Sequence, residues 1–451
     1  MESLEQWTAR EYTHAAAAML ASVSACSIVK ERPGFGQIVT PIAGSVVASP
    51  VLAAYDPDPD YFFHWFRDSA IVIDAVRLLY EAGHLGGEAL THFADFVRFS
   101  LSLKELDGRA PVAAPHWRQQ VKQEFEQYLR ADDLSTVAGD AVYADTRVNP
   151  DGTLDISRWS RPQHDGPPLR ALAVLRWLRT LGGESVGASL AVPGGTLADA
   201  ERLLRIDLAF TAARWAEPSV DIWEEELGLH YFTLRVSAAA LREGADWIRA
   251  AGESSRASAL LTEADTIGET LDRFWVEDAG HYRSRITPLG VESTKVLDVA
   301  VILSVVHSGG GGDVHSVRDA RMQATLEKLE RLFDELYPIN QQRPRDRAPA
   351  MGRYAGDVYY SGGAYYFSTL GAAEFCFLAA AAHAQGTDDR RKWIAHGDQF
   401  LATVRAFTPA SGDLSEQFDQ RSGEQTSAKH LAWSYAGFIS CVTARRAVVP
   451  Q

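Results

Sequence analysis

Apolar residues recur at three- and four-residue steps in about twelve separate stretches, and this helix-after-helix pattern limits the folds open to the chain. The stretches lie near 4–24, 67–83, 86–105, 167–182, 196–214, 229–250, 254–275, 295–307, 315–336, 363–386, 388–406 and 427–446. In 315–336 the period runs through Met322, Leu326, Leu329, Phe333 and Leu336. In 427–446 it runs through Leu431, Tyr435, Phe438 and Val442, with Arg445 and Arg446 in the last turn, where cations suit the helix dipole. Pro167 and Pro168 after Asp165-Gly166 suit a helix start. Strand signals are few. A short hairpin is expected within residues 37–50. Residues 107–164, rich in Gly, Pro and Asp, read as a long loop with at most one helix near 116–130. A loop of that length inside a compact domain is functional or disordered. Paired helices closed into an all-α (α/α)6 barrel, a toroid of about twelve helices with long loops at one end, fit this order. An open solenoid would share the local period, but no self-similar repeat is present.

No linker divides the 451 residues, so a single catalytic-sized domain over 1–451 is expected. A net charge of −15 disfavours nucleic acid and anionic membrane surfaces as partners and leaves a neutral ligand as the better fit. The 11 Trp, 15 Tyr and 19 Phe suit stacking on the apolar faces of sugar rings, although most such rings belong to a core. Cys26, Cys376 and Cys441 form neither a disulfide framework nor a metal site, so buried reduced thiols are expected. The 13 histidines show no ligand spacing, and no metal or cofactor is expected. The first 25 residues carry Glu2 and Glu5 where a secretion leader would be basic, so a cytoplasmic location is expected unless a leader has been clipped. No run is long and apolar enough for a membrane span.

Chemistry is concentrated in five loops. DPDPDYFFHWFRDS carries Tyr61, Trp65, Arg67 and Asp68. RWSRPQHDGPPLR carries Trp159, Arg161, Gln163 and Asp165. VDIWEEELGLHYFT carries Trp223 and three adjacent acids, Glu224, Glu225 and Glu226. GRYAGDVYYSGGAYYF carries Arg353 and Asp357, and SGDLSEQFDQRSGEQTS carries Glu416 and Gln417. Each loop has an ordinary alternative reading as a helix entry or a solvated surface. Read chemically, aromatic walls exclude water, while Arg67 and Asp68 donate to and accept from hydroxyls. A glutamate desolvated between apolar stretches stays protonated, as a general acid requires. Glycoside hydrolysis needs two carboxyl groups flanking the scissile bond, about 6.5–9.5 Å apart when an inverting enzyme must admit a water. Spacing alone does not pair Glu224 with Glu416.

The five segments in this order resemble glycoside hydrolase family 15, the glucoamylases and their glucodextranase relatives, from Trp7 to the last helix. The closing segment Ser415–Tyr435 matches SEQFDxxxGEQxSAxxLxWSY. The resemblance implies an (α/α)6 barrel without metal, acting on soluble α-gluco-oligosaccharides from the non-reducing end with release of β-glucose. By position it makes Glu224 the general acid and Glu416 the general base. Arg67 and Asp68 would hold terminal hydroxyls, with Tyr61 and Trp65 as pocket walls. Trp159, Trp223, Glu225, Arg353, Asp357 and Gln417 would bind substrate or orient the acid, and Arg147 would align with a basic subsite residue. Glu225 is no substitute for Glu224, because neighbouring side chains leave the backbone in different directions. Gly356 stands where many relatives carry an acid and Tyr365 where they carry Trp, which leaves linkage and chain length open. Neither a starch-binding domain nor an N-terminal β-sandwich is expected, and the expected state is a monomer. An α-1,6 glucodextranase, a trehalase, a phosphorylase and a catalytically dead sugar-binding protein remain alternatives.

Overall fold

The computed structural model describes residues 2–54, 57–113, 115–130, 132–182 and 197–449. Six helices form an inner ring: α2 (Phe66–Glu81), α4 (Gly166–Gly182), α6 (Tyr231–Ala250), α8 (Ala300–His307), α10 (Tyr366–Ala381) and α12 (Ala432–Val448). Each packs on the next and α12 packs back on α2, so the ring closes. The alternate helices lie outside it: α1 (Leu4–Leu20), α3 (Gly87–Ser102), α5 (Leu197–Arg214), α7 (Ser254–Asp272), α9 (Ala320–Leu336) and α11 (Asp388–Phe407). This is the expected (α/α)6 barrel, closed rather than an open solenoid. All twelve expected helices are present, with ends shifted by a few residues; residue 196, the expected start of one, lies outside the described residues.

Position in the ring explains composition. An outer helix needs one apolar stripe, and α9 buries Met322, Leu326, Leu329 and Phe333 while Leu336 stays exposed. An inner helix has neighbours on every side, and α10 buries all but two of its residues between Tyr366 and Ala381. Gly371 lets α10 approach α8, since a Cβ there would lie 2.4 Å from Leu303 Cδ2. Outer helices start with side-chain caps at Ser3, Asp319 and Thr387. The residues directly before α2, α6, α10 and α12 make no side-chain cap; loop carbonyls take their first amides instead, Thr146 for Phe66, Ser284 for Tyr231, Glu416 for Tyr366 and Ala48 for Ala432.

Small antiparallel sheets lash the loops together at that end. His64–Trp65 pairs with Arg147–Val148. Leu227–His230 lies between Ser219–Val220 and Arg285–Ile286. Gln417–Phe418 lies between Ala364–Tyr365 and Gln425–Thr426. The expected hairpin is displaced: Lys30–Arg32 pairs with Gln37–Val39 around Gly36, whose φ is +64°. No single helix spans 116–130. That stretch forms separate 3-10 turns at Pro115–Gln120 and Gln123–Tyr128. The long loop holds its shape through a core of its own, with Leu134, Val142, Tyr143 and Val148 against Phe66 and Phe99.

A buried ion pair ties α4 to α5. Arg170 donates through Nε and Nη2 to Asp207 at 2.9 and 2.7 Å, and both residues are fully buried. Replacing one partner leaves a charge in an apolar site, so Arg170→Met should lower unfolding free energy by about 3–5 kcal/mol. The double variant R170M/D207L should recover most of that loss. Urea denaturation of the three proteins checks this; equal loss in single and double variants would contradict it.

Candidate active site

The five loops converge at the end where the inner helices begin and enclose a cavity of about 730 Å3. Tyr61, Trp65, Arg67, Asp68, Trp159, Trp223, Glu224, Glu225, Arg353 and Glu416 line it. Asp357, Gln417 and Arg147 do not. Asp357 stands behind Arg353 and accepts from its Nε at 2.7 Å. The Gln417 amide is used up by Ser361, Tyr359 and the Tyr365 hydroxyl. Arg147 is buried against the pocket aromatics. Each of the three contacts a residue that lines the cavity: Arg353 for Asp357, Tyr359 for Gln417 and Trp159 for Arg147. Tyr365, which stands where relatives carry Trp, is buried against Trp223 and Phe367.

Glu224 sits on a turn built by Asp221. The Asp221 carboxylate accepts from the amides of Trp223, Glu225 and Glu226 at 2.9, 3.1 and 3.3 Å, and its carbonyl accepts from the Glu224 amide at 2.9 Å. Glu224 itself has φ +64°, in the left-handed region that a non-glycine residue enters only when its surroundings enforce it. Its carboxylate receives Trp65 Nε1 at 2.8 Å and Arg67 Nη2 at 2.9 Å on one oxygen, and Trp159 Nε1 on the other. Arg67 also donates to Asp165 at 3.2 Å and lies beside Asp68 at 3.5 Å. Burial pushes the carboxyls of Asp68 and Asp165 up to about 6, against the pull of Arg67.

Glu416 meets Tyr61, whose ring lies 5.1 Å from that of Trp65. Ser427 donates to one of its oxygens and Tyr61 to the other, at 3.4 Å. Burial pushes the Glu416 carboxyl up to about 7, although Ser427 and the Arg353 charge both favour its ionised form. Its backbone is fixed by a hydrogen bond that its N–H donates to the Ala428 carbonyl at 2.7 Å. The neighbouring acid Glu225 is clasped elsewhere, by Arg353 at 3.0 Å, Lys295 at 2.5 Å and the Tyr354 hydroxyl. Among the described residues, no group of three or more His, Cys, Asp or Glu side chains is arranged to hold a metal.

Several site residues escaped the motif reading. Tyr359 lines the cavity and its hydroxyl meets that of Tyr61 at 2.7 Å. Trp433 lines it too, below Arg67. Ser427 and Trp433 fall inside the quoted Ser415–Tyr435 segment, so the signal for them was present. Asp221 likewise falls inside the quoted VDIWEEELGLHYFT segment, whereas Arg285, Lys295 and Asp298 carry no local pattern that marks them.

With this geometry in view, the chain can be set beside known proteins. The profile of glycosyl hydrolases family 15 matches residues 34–104 and 146–443. Glucoamylase from Blastobotrys adeninivorans is 25% identical, over 90% of this chain and 68% of its own length. Glucoamylase 1 from Rhizopus oryzae is 26% identical, over 86% of this chain and 65% of its own length. This chain therefore spans about two thirds of these relatives. The glycoside hydrolase family 15 glucoamylase structure from Hypocrea jecorina superposes with a TM-score of 0.75 at 25% identity, covering 100% of this chain and 73% of that one. The fold is shared with Saccharomycopsis fibuligera glucoamylase, at a TM-score of 0.77 and 20% identity, over 99% of this chain and 96% of that one. Two matched blocks that together take in most of the chain place it in glycosyl hydrolases family 15, as a glycoside hydrolase of the glucoamylase type.

Proposed function

We propose that the protein removes terminal glucose from the non-reducing ends of soluble α-gluco-oligosaccharides, malto-oligosaccharides first among them, with inversion and release of β-D-glucose. The observation that carries this reading is the pair Glu224 and Glu416. They come from loops far apart in sequence and line one cavity, Glu224 bonded to Trp65 and Glu416 to the adjoining Tyr61. Glu224 protonates the leaving oxygen. Glu416 takes a proton from the water that attacks the opposite face. Arg67 and Asp68 hold the hydroxyls of the terminal ring, and the aromatic walls exclude bulk water. Glu225, set by Arg353 and Lys295, meets the sugar beyond the scissile bond.

Proton NMR of early hydrolysis products on maltotriose, isomaltotriose and trehalose tests the reaction and the bond together. β-Glucose should appear first, fastest from maltotriose. Initial α-glucose would mean retention and would break the acid–base pairing. A faster rate on isomaltotriose or trehalose would move the assignment to the glucodextranase or trehalase reading. Glu224→Gln should lower kcat by about 10²–10⁴-fold while glucose binding by calorimetry stays near wild type.

Glu416 works only when ionised. With its carboxyl raised to about 7, kcat/KM should fall as pH drops through that range. Ser427→Ala removes a donor that favours the ionised form, so the acidic limb should move to higher pH. A limb that stays in place or moves down in S427A would contradict the role given to Glu416.

A further inference from the structure

We propose that Arg147 is a positioning residue that holds the two indoles whose N–H groups grip Glu224. This rests on the catalytic reading of Glu224 above. Arg147 has no route to substrate, since it is 2% exposed and lies outside the cavity lining. Its guanidinium carbon sits 3.7 Å from the centre of the Trp159 ring, 4.7 Å from Trp65 and 4.0 Å from Phe63. One planar cation therefore packs against three aromatic faces. Trp65 and Trp159 are the residues whose Nε1 atoms donate to the two oxygens of Glu224.

The cation is itself fixed. Nε donates to Asp155 at 2.9 Å and Nη2 to Ser157 at 3.1 Å. Asp155 is held in place by Arg161 at 3.0 Å and by the Ser157 amide at 2.8 Å. The backbone of Arg147 pairs in register with Trp65. Nη1 is buried and meets no hydrogen-bond acceptor among the described residues, on a guanidinium whose central carbon lies over the rings. The result is a chain of contacts from an Asp–Arg pair, through two indoles that meet edge to face, to the carboxyl that faces the substrate. Lysine has no plane to stack against several faces at once and cannot bond both Asp155 and Ser157 from one rigid fork.

The mechanism predicts a kinetic signature. Loosened indoles misplace the Glu224 carboxyl, and misplacement by about an ångström costs about 100-fold in rate. Arg147→Met and Arg147→Lys should each lower kcat on maltotriose by at least about 10-fold, with KM within about threefold of wild type. Trp159→Phe removes one of the two donors, and adding R147M to it should cost clearly less than R147M costs alone. A rise in KM that accounts for the loss would make Arg147 a substrate contact and overturn the proposal. So would full additivity with W159F, or wild-type kcat in R147K.

A second readout needs no substrate. R147M should change the near-ultraviolet circular dichroism of the folded protein, and that change should vanish in the W65F/W159F background. Persistence of the change in that background would also overturn the role. If wild-type protein hydrolyses none of the sugars tested, the reading of Glu224 fails, and the spectroscopic arm still decides whether Arg147 holds the indoles.

Discussion

A helix packed among neighbours can keep a charge along its buried face only where a partner offsets the desolvation, and this constraint organises the molecule. Closure of α2, α4, α6, α8, α10 and α12 into a ring leaves little polar surface along their lengths. Polar chemistry is displaced to the helix ends. At the end where the inner helices start, backbone amides lack side-chain caps and carry the positive pole of each dipole. Carboxylates gather there: Asp68 in the first turn of α2, Asp165 just before α4, and Glu224 and Glu416 on loops leading into the ring. Arg67, Phe367 and Trp433, at the starts of α2, α10 and α12, form part of the cavity wall. The barrel thus supplies both the rigid wall and the electrostatic bias of the site.

Beyond the small apolar core of the long loop, buried Arg–Asp pairs hold much of the shape of the loops over that end. Arg32 meets Asp60 and Asn149, Arg130 meets Asp145, Arg285 bridges Asp221 and Asp298, and Arg353 meets Asp357. Such pairs are weak sources of stability, because desolvation cancels much of the attraction. They are strong sources of geometry, because a planar fork accepts few arrangements of a carboxylate. The net charge of −15 hides this economy. Most of the arginines that matter here face inward, where their charge never reaches the surface.

Periodicity was enough to read the twelve helices, because packing in two layers leaves a strong pattern in sequence. Ring closure was not readable from it, since a helix has the same neighbours by type in a ring or in an open array. The two carboxylates were legible through their motifs: Glu416 lies between Ser415 and Gln417, and Glu224 follows Trp223. What the motifs could not carry was the supporting shell. Asp221 and Arg285 are separated by 64 positions, yet meet at 2.8 Å. Lys295 reaches Glu225 from a loop with no recognisable pattern. By resemblance Arg147 aligns with a basic subsite residue, and a basic side chain at such a position looks the same in sequence whether it faces substrate or the back of a tryptophan. Orientation at a given position is set by strand pairing, here Trp65 opposite Arg147, and pairing between distant two-residue strands leaves no local trace.

The run Glu224-Glu225-Glu226 shows what such pairing accomplishes. Three adjacent carboxylates in one direction would repel, and in sequence they read as a solvated face. In the fold they fan out to three separate partner sets. Glu224 meets Trp65, Arg67 and Trp159; Glu225 meets Arg353, Tyr354 and Lys295; Glu226 meets Arg285 and Ser293. The fan depends on the left-handed backbone at Glu224, a conformation that costs about 1–2 kcal/mol for a non-glycine residue. The amides that Asp221 gathers offset this cost, and the strand pair Val220–Leu227 closes the turn around it. Glycine at position 224 would relieve the strain and delete the carboxyl; any regular backbone would keep the carboxyl and turn it out of the cavity. The strained residue and the residue aimed at the substrate are the same one, so the turn that Asp221 builds serves the aim of that carboxyl before it serves the fold.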